Sequence, residues 1–131
     1  MKTKYDFKNG NYRNYYTKRL GKNQTDIRLE LMKMHPECFR YKEILDIGCN
    51  TGFVTINLAK YLNPSSILGI DIDGSLIDSA RKNLMKEKTD LSLPSDELVA
   101  LNNVIFRKVR NNPRIKIFNL ITIEINRIFL L

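Results

Sequence analysis

The chain of 131 residues carries 22 basic and 14 acidic side chains, a net charge of +8, and is 43% hydrophobic and 27% charged, a globular composition. This length predicts one small domain, and no apolar run reaches the roughly 18 residues of a membrane-spanning helix. Two cysteines, Cys38 and Cys49, are too few for a disulfide framework or a four-cysteine zinc site. We therefore expect no metal, no membrane partner and an intracellular location, in the nucleus or the cytoplasm.

The positive charge is concentrated at the two ends of the chain. Residues 1–42 hold 11 basic and 4 acidic side chains, residues 43–103 hold 5 and 9, and residues 104–131 hold 6 and 1. The first segment also contains five aromatic residues: Tyr5, Phe7, Tyr12, Tyr15 and Tyr16. Basic and aromatic side chains together suit a nucleic acid, since cations meet phosphates and rings stack on bases. A solvated basic surface above ordinary core aromatics explains the same composition.

The N-terminal region is predicted as an irregular basic arm over residues 1–25, followed by a helix. Asp26 begins that helix, and Ile27, Leu31 and Met34 recur at helical spacing. Pro36 should end or interrupt it, because proline disfavours helix in the residue before it.

The middle of the chain alternates between strand and helix patterns. We predict strands at residues 43–48 and 66–72, each followed by a helix, at residues 52–62 and 74–88. Asn50 or Thr51 should cap the first of these helices. Strand, helix, strand and helix at this spacing predict the start of a doubly wound α/β fold.

The remainder of the chain is less regular. Residues 89–103 read as a loop with at most one helical turn, and a third strand begins at Val104. Isoleucines at period two from Ile115 onward indicate a further strand. We therefore divide the chain into an arm at residues 1–25, a central unit at residues 26–106 and a divergent isoleucine-rich tail at residues 107–131.

A glycine-rich turn joins the first strand to its helix. Gly48 and Gly52 flank three residues there, and glycine lets the backbone turn sharply beside a ligand. Asp46 precedes the turn and should hold it through backbone hydrogen bonds. The turn lacks the G-x-G-x-x-G pattern that cradles a pyrophosphate, which argues against a nucleotide-dependent oxidoreductase.

An acidic residue ends the second strand, where a cofactor ribose would lie. Asp71 stands 19 residues after Gly52, and a carboxylate there can accept hydrogen bonds from two ribose hydroxyls. Asp73 competes for this role but can instead cap the helix that begins near Gly74. We assign the ribose to Asp71 and the cap to Asp73. An acid, a G-x-x-x-G turn and a second strand ending in an acid resemble a class I S-adenosylmethionine-dependent methyltransferase with a Rossmann-like sheet.

Longer stretches resemble one family more closely. These are the segment F-x-x-G-N-Y-x-x-Y-Y at residues 7–16, Asp26-Ile27-Arg28-Leu29, ILDIGCNTG at residues 44–52 and ILGIDIDGSLIDSARKNL at residues 67–84. Together they resemble the RNA methylphosphate capping enzymes, also called the bicoid-interacting-protein-3 family. The resemblance implies methyl transfer from S-adenosyl-L-methionine to a 5′ terminal phosphate of RNA, with RNA as the partner.

The same resemblance implies a set of cofactor contacts. Tyr16 and Arg28 match residues that help to hold the cofactor, and an arginine fork suits its carboxylate. The turn residues Gly48, Cys49 and Asn50 match the loop beside the methionine part. Asp71 and Ile72 match the ribose and adenine contacts. It implies no catalytic side chain that we can assign.

The resemblance ends at about Phe106. The chain contains no tryptophan, so the tryptophan-bearing motifs of the family are missing, and only three or four strands of the sheet are predicted. We therefore expect the N-terminal, cofactor-binding half of such an enzyme, an incomplete class I sheet. The alternative is a truncated, non-catalytic relative that binds RNA or a partner through its basic arm.

Overall fold

The computed structural model describes residues 26–110; the predicted arm with Tyr16, and the tail beyond residue 110, lie outside them. The elements in chain order are α1 (Ile27–Lys33), a 3₁₀ turn (Pro36–Cys38), β1 (Glu43–Ile47), α2 (Phe53–Leu62), β2 (Ser66–Asp71), α3 (Gly74–Lys88), α4 (Ser95–Asn102) and β3 (Val104–Lys108). The predicted alternation of strands and helices is confirmed.

The described strands form one parallel sheet in the order β1-β2-β3. Ile47 pairs with Ile70, and Asp71 pairs with Lys108. Because parallel strands end at the same edge, the loop after β1, the residues after β2 and the end of β3 meet there. The register therefore brings the glycine turn and Asp71 together, although they are far apart in sequence.

One face of the sheet carries the hydrophobic core. Ile67, Val104 and Phe106 point to this face and are buried. The helices contribute most of the other buried side chains of the same cluster, among them Val54, Leu58, Ile77, Ala80 and Leu101. The alternation of side chains along each strand places every second residue here.

The opposite face presents an apolar row. Leu45, Leu68 and Ile105 lie side by side in register across the three strands. Leu45 is 39% exposed and Ile105 52% exposed. A doubly wound sheet carries helices on both faces. Residues 26–110 therefore supply the sheet and the helix layer on one face of such a fold.

Two predictions about the helices are wrong. In α1 the predicted stripe of Ile27, Leu31 and Met34 is exposed, and Leu29 is buried instead, because the helix packs on α2 through its other apolar face. The segment predicted as a loop contains α4, a helix of eight residues. Its C-terminal half is fixed by burial of Ala100 and Leu101, and local polarity concealed this packing. In residues 26–110 no helix is long and apolar enough to cross a membrane.

Candidate cofactor site

The turn between β1 and α2 is built from left-handed backbone conformations. Gly48 has φ +70°, Asn50 +52° and Gly52 +82°. Glycine adopts this region freely, and asparagine tolerates it better than most residues. Among residues 26–110, no atom lies within 4 Å of the position that a Cβ on Gly48 would take, so within this part of the chain Gly48 borders open space at the carboxyl edge of the sheet.

The second glycine of the turn has a packing role. A Cβ on Gly52 would lie 2.7 Å from Cζ of Phe106, and one on Gly69 would lie 2.7 Å from Cδ1 of the same ring. The two glycines thus make room for the aromatic ring below the turn. Gly48 faces the open side and Gly52 the core, so the two residues of the motif serve different purposes.

Asp71 ties the turn to the end of β2. Its Oδ2 accepts a hydrogen bond from the backbone N–H of Asn50 at 3.0 Å, and its Oδ1 accepts one from the N–H of Asp73 at 2.9 Å. The N–H groups of Gly48 and Cys49 donate to the carbonyl of Ile70. A carboxylate at the end of this strand is the chemical group that accepts hydrogen bonds from ribose hydroxyls.

The helix caps follow the prediction at α3 but not at α2. Asp73 accepts a hydrogen bond from the N–H of Ser75 at 2.9 Å, so its assignment as the cap is confirmed. The N-cap of α2 is Gly52, which makes no side-chain cap hydrogen bond. Asn50 accepts instead from the N–H of Thr51 within the turn, because its left-handed backbone directs the amide there.

The role predicted for Asp46 belongs to Asp71. Asp46 accepts a hydrogen bond from the buried hydroxyl of Thr55 on α2 rather than from the turn backbone. Burial raises the pKa of the Asp46 carboxyl, opposed by the Thr55 hydrogen bond and by the charge of Arg28; the charge of Asp71 adds to the rise. The side chain of Asp46 points to the helix layer and holds α2 against the sheet through the hydrogen bond with Thr55.

Cys49 takes part in the turn through its backbone N–H, and its side chain is buried. Its side chain lies 3.1 Å from the position a Cβ on Gly69 would take. Burial, followed by the charges of Asp46 and Asp71, raises the pKa of its thiol far above the usual range. The thiol therefore stays protonated and is no nucleophile.

Arg28 lies on the first turn of α1 and is already engaged. Its guanidinium forms a bidentate ion pair with the buried carboxylate of Asp26. The charge of Arg28 opposes the rise in the pKa of Asp46. Ile72 follows Asp71 directly and is half-buried, at the position predicted for the adenine side.

The sequence-predicted set is thus partly assembled. At one edge of the sheet, Asn50 is hydrogen-bonded to Asp71, and Gly48 and Cys49 are hydrogen-bonded to the carbonyl of Ile70, beside Ile72. Tyr16 lies outside the described residues.

Several supporting residues were not predicted. Thr55 bonds to Asp46, Asn83 donates to the carbonyl of Thr51 at 3.0 Å, and Phe106 fills the space under the turn. Asp26 was predicted only as the start of its helix, and its pairing with Arg28 was not. The others act across elements, where periodicity carries no information.

Comparison with known proteins identifies this arrangement. The family model for the methyltransferase domain matches residues 44–104, the stretch from β1 to the start of β3. This stretch is therefore similar to the core of a class I methyltransferase domain. That class uses S-adenosylmethionine as its methyl donor, and the glycine turn, the open space at Gly48 and the acid at Asp71 fit such a cofactor.

Two curated relatives show which kind of methyltransferase this chain is most similar to in sequence. The U6 snRNA methylphosphate capping enzyme of Drosophila melanogaster is 46% identical over 80 residues, which are 60% of this chain and 27% of that protein. The human 7SK snRNA methylphosphate capping enzyme is 42% identical over 93 residues, 70% of this chain and 13% of that protein. The resemblance to the capping enzymes is confirmed, and the chain spans about a quarter or less of those relatives.

A solved structure of an RNA methyltransferase from Salinibacter ruber with S-adenosyl-L-homocysteine superposes with a TM-score of 0.48 at 23% identity, covering 66% of this chain and 48% of that one.

Between residues 26 and 110, no cluster of three or more His, Cys, Asp or Glu side chains could hold a metal ion.

Proposed function

We propose that this chain is the cofactor-binding part of an S-adenosylmethionine-dependent RNA methyltransferase that methylates a 5′ terminal phosphate. The observation that carries the proposal is the turn at residues 48–52, tied by hydrogen bonds to Asp71, within a stretch 42–46% identical to two methylphosphate capping enzymes. The division into arm, cofactor-binding half and tail belongs to the same proposal.

The described residues suit distinct parts of the cofactor. Asp71 would accept hydrogen bonds from the ribose hydroxyls, and half-buried Ile72 would pack beside the adenine. The backbone at Gly48, Cys49 and Asn50 would border the methionine part, and the guanidinium of Arg28 would meet its carboxylate. Tyr16, assigned by resemblance, would complete the set. S-adenosylmethionine supplies an electrophilic methyl group when bound there.

A phosphate acceptor explains why the site needs no general base. The oxygens of a terminal phosphate are already anionic near neutral pH, so no proton has to be removed before methylation. The chain then has only to align the reactants and exclude water, which fits a protonated, buried Cys49. Acceptors such as a ribose hydroxyl or an amine would require a base.

The surface beside the site favours an anionic polymer. The end of β3 carries Arg107 and Lys108, and Arg110 follows. The N–H of Val109 donates to the backbone carbonyl of Asp71 at 2.9 Å, so these cations flank the cofactor edge. Their charge would attract RNA phosphates to the methyl donor. An RNA substrate of the small nuclear class, as in the relatives' names, would place the protein in the nucleus.

The test begins with calorimetric titration of the full chain with S-adenosyl-L-homocysteine, followed by transfer of labelled methyl to three RNAs. These RNAs share a sequence and carry a 5′ triphosphate, a 5′ monophosphate or a 5′ hydroxyl. We expect binding at micromolar affinity and methylation of a phosphorylated end only.

Two results would oppose the proposal. Equal labelling of the 5′-hydroxyl RNA would contradict phosphate methylation. A folded chain that binds RNA but not S-adenosyl-L-homocysteine would favour the non-catalytic relative instead.

A further inference from the structure

A buried carboxylate holds the guanidinium of Arg28. Oδ2 of Asp26 accepts from Nη2 of Arg28 at 2.7 Å, and Oδ1 accepts from Nε at 3.1 Å. Oδ1 also accepts from the backbone N–H of Arg28 at 2.9 Å. Three hydrogen bonds between residues two positions apart therefore fix both the backbone and the side chain of the arginine.

Burial distinguishes this pair from an ordinary surface ion pair. The side chain of Asp26 is fully buried and that of Arg28 is 35% exposed, so the acid faces inward and the arginine reaches the surface. Glu30 and Lys33 on the same helix form a pair in which both partners are exposed. Exposed pairs contribute little, whereas a buried carboxylate with bidentate geometry strongly restricts its partner.

Asp26 also begins α1. As its N-cap, it satisfies a backbone N–H in the first turn, a role that Asn or Ser would fill equally well. A cap alone does not require a charge or two aligned oxygens. Capping therefore does not explain the hydrogen bond that Oδ2 of Asp26 accepts from Nη2 of Arg28.

We propose that Asp26 is a positioning residue for the cofactor: it holds the Nε–Nη2 edge of Arg28 so that the guanidinium is directed toward the carboxylate of the methionine part. This inference rests on the proposed function. A long arginine loses rotamer freedom when it binds a ligand, and a partner that fixes it beforehand removes much of that cost. The helix that carries Arg28, α1, packs on α2, which follows the glycine turn directly.

The test uses Asp26→Asn and two ligands in calorimetric titrations of the full chain. S-adenosyl-L-homocysteine carries the amino acid carboxylate, and 5′-methylthioadenosine keeps the nucleoside and sulfur without it. Because asparagine still caps the helix but places an amide where an oxygen faced Nη2, we expect about tenfold or greater loss of affinity for the first ligand. Affinity for the second should be unchanged. Glu30→Gln, which removes the exposed pair on the same helix, is the matched control and should alter neither affinity.

The outcomes separate the inference from the function on which it rests. If the unmodified chain binds neither ligand, the proposed function fails. If it binds both, but Asp26→Asn weakens both equally or neither, Asp26 has only a structural role and the inference is overturned. Asp26→Ser, a second cap-preserving change, replaces Asp26→Asn if that variant does not fold. In an Arg28→Gln background Asp26→Asn should have no further effect, because the group it positions is gone.

Discussion

The backbone N–H of Asn50 donates a hydrogen bond to Oδ2 of Asp71, although 21 residues separate them. The same carboxylate accepts from Asp73, so one buried side chain fixes both the glycine turn and the exit of β2. An acid that would receive the ribose therefore also shapes the loop beside the methionine part. Under the proposed function, ligand binding and local folding would be coupled at this residue.

Asp71→Asn is expected to weaken both properties. One of its two oxygens becomes an amide that faces a backbone N–H, leaving a buried donor unpaired at a cost of about 1–3 kcal/mol in the free energy of unfolding. Urea denaturation measures this loss, and calorimetry with S-adenosyl-L-homocysteine should give at least a tenfold weaker affinity, corresponding to about 1.4 kcal/mol. Asp78→Asn, an exposed acid on α3, is the control. Unchanged affinity in Asp71→Asn would remove Asp71 from the site.

The two glycines of the turn should respond differently to alanine. Both positions have positive φ, which costs a residue with a side chain about 1–2 kcal/mol. Only Gly52→Ala also forces a methyl group against Phe106, so its loss in the free energy of unfolding should be the larger. Gly48→Ala should remain folded and lose ligand affinity. Phe106→Leu should partly restore the stability of Gly52→Ala; if the double variant is no more stable, the ring is not the obstacle.

Arg28→Ala should lower the affinity for S-adenosyl-L-homocysteine by about 2 kcal/mol or more, since a charged hydrogen-bonded contact is lost. The affinity of Arg28→Lys should lie between those of Arg28→Ala and the unmodified chain, because lysine keeps the charge but not the planar guanidinium. Titration at two salt concentrations checks the electrostatic part. Equal affinity in all three proteins would show that another group holds the carboxylate.

The two cysteines should differ in reactivity. Cys38 is partly exposed, whereas the pKa of Cys49 is raised by burial and by neighbouring acids. A disulfide reagent at mildly alkaline pH should therefore modify one thiol quickly in the folded chain and two after denaturation. Cys38→Ser should leave only the slow thiol. Fast modification of that variant would mean that Cys49 is accessible.

Asp46 should make stability fall as the pH rises. Burial raises its folded-state pKa above the ordinary 3.8, so its neutral form stabilises the folded chain. This contribution is present below the ordinary pKa and is lost as the pH rises through the folded-state pKa. Asp46→Asn does not titrate but can still accept from Thr55. The free energy of unfolding of Asp46→Asn minus that of the unmodified chain should thus increase from about pH 3.5 to pH 7. A constant difference would contradict the shift.

The sequence by itself determined the repeating pattern of the central region. Apolar runs ending in Gly48 and Asp71 predicted β1 and β2, and helical spacing predicted α3 at Gly74–Lys88 as observed. The glycine turn, the acid and the flanking motifs also sufficed for the family resemblance. Backbone conformation, side-chain periodicity and capping depend on neighbours along the chain, so single segments carry these signals.

Only the tertiary structure decided which side chains meet. α1 has apolar residues on two faces, and packing on α2 buries Leu29 rather than the predicted stripe. Asp71, not Asp46, holds the turn, because parallel pairing of β1 with β2 brings its carboxylate to Asn50. Asp26 binds Arg28 instead of serving as a cap alone. These outcomes depend on contacts between separate elements and on burial, which residue order along the chain does not specify.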